Sequence, residues 1–230
     1  MRPDLVEVVQ VLFFPEVIVP DKAKAAVDLN ELASGVFDGD PLILPIPDDA
    51  PPEVPRFMLL SKDSSYEFQM AKDRLSLKVA TPPNSEKPIE PADAFRLGGV
   101  LVPHLYEAFH VKPHRAGLVA TWAVSPKNGT PTGYLLENYV RTGVPLGSPV
   151  QAQLHSLEKL NVGQFQTNLW TRILSGTRNR AGGPVDVLLY VFDVNTFGEV
   201  RYSFSPESID GFLLSGFRLV EERVAAHLGE

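Results

Sequence analysis

Five histidines and no cysteine set the first limit on the chemistry of this 230-residue chain. Without cysteine there is no disulfide, no thiolate nucleophile and no cysteine-bound zinc. The metal-type cluster that remains is His104, Glu107 and His110, with His114 just beyond. Neighbours in such a three-residue series lie about 60° apart around a helix, a staircase rather than one tight face. Two imidazoles, a carboxylate and His114 would make a zinc-type donor set. A helix C-terminus, where an imidazolium complements the dipole, accounts for the same residues without a metal. We assign no metal to them. His155 and His227 have no evident partner in the sequence.

Asp186, Asp193, Glu199 and Asp210 supply carboxylates, but at no spacing that pairs a general acid with a base. Asp193 closes an apolar run, where such a side chain usually bonds the next backbone amides. No G-x-S-x-G elbow occurs. No catalytic residue and no cofactor are assigned, and the reading leans away from an enzyme.

The one basic, glycine-bearing segment holds Arg172, Arg178 and Arg180 with Gly176, Gly182 and Gly183. Guanidinium groups with backbone amides hold a phosphate or a partner's carboxylates, although the spacing is neither a P-loop nor a dinucleotide fingerprint. A solvated hairpin tip is the plainer reading. Just before it, Gln164, Gln166, Asn168, Trp170 and Arg172 alternate, so a strand sets all five on one side. A polar strip carrying a tryptophan and an arginine has the composition that interfaces favour. These five, with Arg178 and Arg180, are the expected partner-binding residues.

The elements that would carry them repeat. In the first half, a β-prone run from Leu5 leads to a helix capped by Asp21 and ended by Ser34-Gly35-Val36. Six prolines crowd residues 41–55, which cannot form a central strand. A three-strand meander over 57–79 follows, then a helix over 92–110, weakened by Gly98-Gly99 and by Pro103, which is expected to kink it or reset its start. In the second half, a strand over 116–124 precedes a short helix over 133–141, ended by Thr142-Gly143-Val144. Strands over 150–160 and 164–175, a loop over 176–183 and an apolar strand from Val185 lead to a long helix capped by Ser205-Pro206. Ile209, Leu213, Phe217, Val220, Val224 and Leu228 give that helix one apolar stripe. Each half reads β-α-β-β-β-α. The expectation is an α+β protein with antiparallel sheet and helices on one face, divided as 1–112 and 113–230 or continuous, and built by internal duplication.

Several of these pieces resemble a sporadically distributed bacterial protein family of unknown function. They are Leu5-Val6-Glu7-Val8-Val9 leading to Phe14-Pro15, Val54-Pro55-Arg56-Phe57, and Leu60-Ser61-Lys62-Asp63-Ser64-Ser65-Tyr66 followed by Asp73-Arg74-Leu75. Tyr139, the 164–174 strand and Val187-Leu188-Leu189-Tyr190-Val191-Phe192-Asp193 continue the likeness through the second half. The chain departs from it at Trp122-Ala123-Val124, where a more polar strand end is expected, and at Phe217, where a histidine is expected. The resemblance implies a fold and brings no activity.

A hydrophobic share of 44% suits a substantial core, and no apolar run reaches the length of a transmembrane helix. The N-terminus lacks a signal-type segment, so a cytoplasmic place is expected. A net charge of −7 disfavours nucleic acid and anionic membranes as partners. The reading that remains is a non-catalytic binding or assembly protein, acting on a protein partner or on itself through a sheet face and the 176–183 loop. One alternative is an enzyme or small-molecule binder with a pocket between the halves that holds His104, Asp193 or Arg172. Another, from the sporadic distribution of the resembled family, is a component of a bacterial defence or mobile-element system.

Overall fold

A computed structural model describes residues 3–15, 19, 21–47, 49–82, 85, 87–109, 112–126, 129–140, 149–180 and 182–228. The elements run β1 (Asp4–Phe13), α1 (Lys22–Leu32), β2 (Leu42–Ile43), β3 (Phe57–Leu60), β4 (Tyr66–Met70), β5 (Arg74–Ala80) and α2 (Pro91–Phe109). They continue with β6 (Arg115–Val124), α3 (Pro131–Tyr139), β7 (Gln153–Val162), β8 (Phe165–Arg180), β9 (Gly183–Thr196) and α4 (Pro206–Leu228).

All nine strands join one antiparallel sheet in the order β2-β3-β4-β5-β1-β6-β9-β8-β7. β1 and β6 pair in the middle, so β3-β4-β5-β1 and β7-β8-β9-β6 meet as matching halves of a continuous sheet. Strand alternation decides which side is covered. Val8, Gln10 and Leu12 of β1, Leu118 and Ala120 of β6, and Tyr190, Phe192 and Val194 of β9 all turn inward and are buried. Against that side pack α1 on β3, α2 on β1 and β5, α3 on β8 and β9, and α4 on β6 and β9. The helices lie on one face; among the described residues the opposite face carries none.

Local chemistry explains the helix starts. Asp21 accepts from the Lys24 N–H at 2.9 Å, and Thr130 accepts from Gly133 N–H at 3.1 Å, which starts α3 two residues earlier than expected. Ser205 and Ser208 bond each other's N–H reciprocally, a capping box with serine in the third position. α1 ends through Ser34 and Gly35, both at positive φ (57° and 71°). The Thr142-Gly143-Val144 stop lies outside the described residues.

Two expectations change. The 176–183 segment is not a loop. β8 stays paired through Arg180, with Thr177 opposite Asp186 and Arg178 opposite Val185, and β9 begins at Gly183 with φ 110°. A glycine at that angle turns the chain without strain, so the ladder reaches the hairpin end. α2 also passes through Pro103 as one helix, so the proline does not reset its start. Leu97, Leu101, Val102 and Leu105 keep an apolar face on the sheet across the proline, which offsets its missing N–H. Among the described residues, no helix is long and apolar enough to cross a membrane.

Candidate binding surface

The uncovered face takes its composition from the other parity of the same strands. One row across it reads Lys78, Val9, Val119, Asp193, Trp170 and Leu157. The next reads Ala80, Glu7, Thr121, Val191, Arg172 and His155. Large apolar groups are normally half-shielded in such rows, yet Trp170 is 39% and Leu157 43% exposed, side by side. Arg172 is the next residue on this face along β8 from Trp170 and lies diagonal to Leu157. It forms no ion pair among the described residues, and its Nε is buried without a hydrogen-bond partner. Asp193, opposite Trp170, accepts from Asn195 Nδ2 at 2.9 Å.

The face is more basic than the chain. Arg74, Lys78, Arg115, Lys159 and Arg172 stand on it against Glu7, Glu67 and Asp193, whereas the whole protein carries −7. Arg115 stacks over Phe13 with its guanidinium carbon 4.6 Å from the ring centre, and Lys159 sits 5.4 Å from the Phe197 ring. Strand alternation does put Gln166, Asn168, Trp170 and Arg172 together. Gln164 falls in the turn between β7 and β8, exposed at the margin.

Arg178 and Arg180 are engaged within the chain. Their guanidinium groups reach Asp4 Oδ2 at 3.0 and 2.8 Å. Asp4 belongs to β1, three places away from β8, so the hairpin end must coil across the open face to bring them there. Val187 and Ala123, on the same parity, are buried in consequence. Arg178 Nη2 and Arg180 Nε still lack a hydrogen-bond partner among the described residues.

Among the described residues the histidine cluster does not assemble. His104 and Glu107 lie on α2, His114 precedes β6, and His110 is outside the described residues. Among the described residues no three acidic or histidine side chains could share a metal ion. Burial, then the charges of Arg201 and Arg115, holds the His114 imidazole below its ordinary pKa. His104 sits in the helix layer, while Asp193 and Arg172 sit across the sheet from it, so the three share no cavity. A cleft of about 330 Å³ is lined by Thr130, Thr132, Gln151, Ser175, Thr177 and Asp186, all in the second half. Its hydroxyls are already bonded, Thr132 to Val150 O and Thr177 to Asp186. A second, of about 250 Å³, lies beside Asp63, Tyr66, Lys87 and Asp93 in the first half.

One polar cluster has no signature in the sequence. Tyr139 of α3 and Tyr190 of β9 bring their hydroxyls to 3.2 Å, and the His227 ring packs tilted against both, with ring centres at 5.6 and 5.8 Å. Burial raises both phenols above their ordinary pKa and lowers His227. Only the inward parity of Tyr190 within an apolar strand hinted at its burial. No protein-family model matches the chain, and no curated protein matches it.

Proposed function

We propose that this is a non-catalytic binding or assembly protein that holds a protein partner on the open face of its sheet. The observation that carries this reading is the exposed Trp170–Leu157 pair beside an arginine that has no counter-ion among the described residues. Aromatic and arginine side chains supply most binding energy where a partner desolvates them. The excess of basic over acidic groups on this face favours an acidic segment that also brings an apolar side chain. Arg178 and Arg180 border the surface, with their guanidinium groups held by Asp4. A pocket between the halves has less support, because His104 is walled off from Asp193 and Arg172. The repeated element order and the matched strand order support internal duplication, and the strand and turn likenesses support membership of the resembled bacterial family.

The test is affinity capture from cell extract with the full chain, comparing wild type, Trp170→Ser/Arg172→Glu and a helix-face control, Glu222→Lys. A specific partner held by wild type and by the control should drop at least about tenfold with the double variant. Capture unchanged by the double variant would remove the open face from the interaction.

A further inference from the structure

The two edges of the sheet are built differently. At one, β2 is two residues long and lies within the segment that holds Pro41, Pro45, Pro47, Pro51, Pro52 and Pro55. That edge is blunted, since proline offers no N–H to an added strand. At the other, β7 runs ten residues with no proline, no glycine and no register break against β8. An edge of this length and regularity is a template for another strand.

The hydrogen-bonding phase of β7 follows from its start. Ser175 N–H donates to Ala152 O at 3.2 Å, and Ala152 N–H donates to the Ser175 hydroxyl, so Ala152 turns its main chain toward β8. By alternation Leu154, Ser156, Glu158 and Leu160 do the same, and Gln153, His155, Leu157, Lys159 and Asn161 turn theirs outward. The far end agrees. Gln166, opposite Asn161, gives its N–H to the Tyr202 hydroxyl and accepts from Phe197 N–H, both on the side away from β7. Five N–H and five C=O groups thus line this edge with no partner among the described residues.

We propose that a second copy of this chain adds its own β7 here, antiparallel, with the two-fold axis through Leu157. The strand is self-complementary in that register. Leu157 meets Leu157 of the second copy, His155 meets Lys159 and Gln153 meets Asn161, so every outward main-chain group is paired. Apolar groups also meet on both faces. On the open face the two Leu157 side chains sit between the two Trp170 rings, and on the helix face each Leu154 meets a Leu160. Glu158, ion-paired to Arg223 at 2.7 Å, faces Ser156 of the second copy rather than a carboxylate. Moving the axis to Ser156 or Glu158 leaves one outward residue of each strand unpaired, and sets Leu154 against Glu158 or Glu158 against itself. The dimer is then one sheet of twice nine strands. This goes beyond the open-face reading, because it uses the edge, and either can fail alone.

The absence of cysteine makes the test clean. Sedimentation of the full chain should give twice the 25.3 kDa chain mass. Leu157→Cys should form a disulfide-linked dimer on mild oxidation, since facing residues of such a pair lie about 5.5 Å apart. Lys159→Cys should not, because it would sit about 13 Å along the strand from its copy. Leu157→Lys, which places like charges face to face, should weaken the dimer at least about tenfold with its circular dichroism unchanged. A chain that is monomeric at every attainable concentration overturns the proposal, even if a different protein later supplies the strand. A dimer that Leu157→Lys leaves intact and Leu157→Cys does not cross-link overturns it too.

Discussion

A single amide fixes how closely the helix layer approaches the centre of the sheet. Gln10 points inward from β1, is 3% exposed, and donates from Nε2 to Ala94 O at 3.0 Å. Left unpaired there, such a group would cost about 1–3 kcal/mol. Gly98 of α2 permits the approach, because a Cβ at that position would lie 2.3 Å from Gln10 Oε1. Alanine ordinarily gains about 1 kcal/mol over glycine within a helix. Here the contact outweighs that gain, and Gly98→Ala should destabilise by about 1–3 kcal/mol in urea unfolding, with Gln10→Ala restoring part of it. A stabilised Gly98→Ala would show that α2 is free to move off Gln10. His227 gives a second residue-scale expectation. Burial first, then the Arg223 charge, holds its folded pKa below the ordinary value, with Glu158 pulling the other way. The unfolded imidazole therefore binds the proton more readily than the folded one. Its contribution is complete above about pH 6.5 and is lost as pH falls through that value toward the folded pKa. His227→Gln should flatten the slope of stability between about pH 7.5 and 5.5. An unaltered slope would assign the pH dependence to other groups, such as His114, which shifts in the same direction.

Elements were legible in the sequence where a local signal and the tertiary environment agree. The Asp21 and Ser205 caps, the meander, and the alternation from Gln166 to Arg172 are of that kind. The end of β8 is not. Thr177-Arg178-Asn179-Arg180 has turn composition, and only pairing with β9 and the reach to Asp4 make it strand. The exposure of Leu157 was equally hidden, because β7 becomes an edge only through β9 pairing with β6 on its far side. In the histidine staircase the described members, His104 and Glu107 on α2 and His114 before β6, form no metal-type group. Trp122 of β6 and Phe217 of α4 are stacked with ring centres 5.7 Å apart, so each aromatic residue supports the other. A double-mutant cycle with Trp122→Ala and Phe217→Ala should give a coupling of about 0.5–1.5 kcal/mol. Additive losses would mean that neither ring supports the other.

In the whole molecule, the seam between residues 1–112 and 113–230 decides whether the halves behave as one body. β1 and β6 pair along nearly their full lengths. Above them Phe95 of α2 lies 5.2 Å from Phe217 of α4, and the Tyr106 hydroxyl donates to Phe204 O. Burial drives that phenol above its ordinary pKa, so it remains a donor through the neutral range. Separated, each half would expose the edge of its innermost strand and the flank of its helix, a loss of both ladder bonds and apolar burial. The halves should therefore unfold together. The two tryptophans, Trp122 and Trp170, both report on the second half, while far-UV circular dichroism reports on both. Urea transitions followed by fluorescence and by dichroism should coincide. Leu118→Ala, at a fully buried position of β6, should lower both midpoints equally, at a cost of about 2–5 kcal/mol. Were the fluorescence midpoint to fall while much of the dichroism survived, the first half would be holding its fold without the second, and the continuous sheet would be two domains that share an edge.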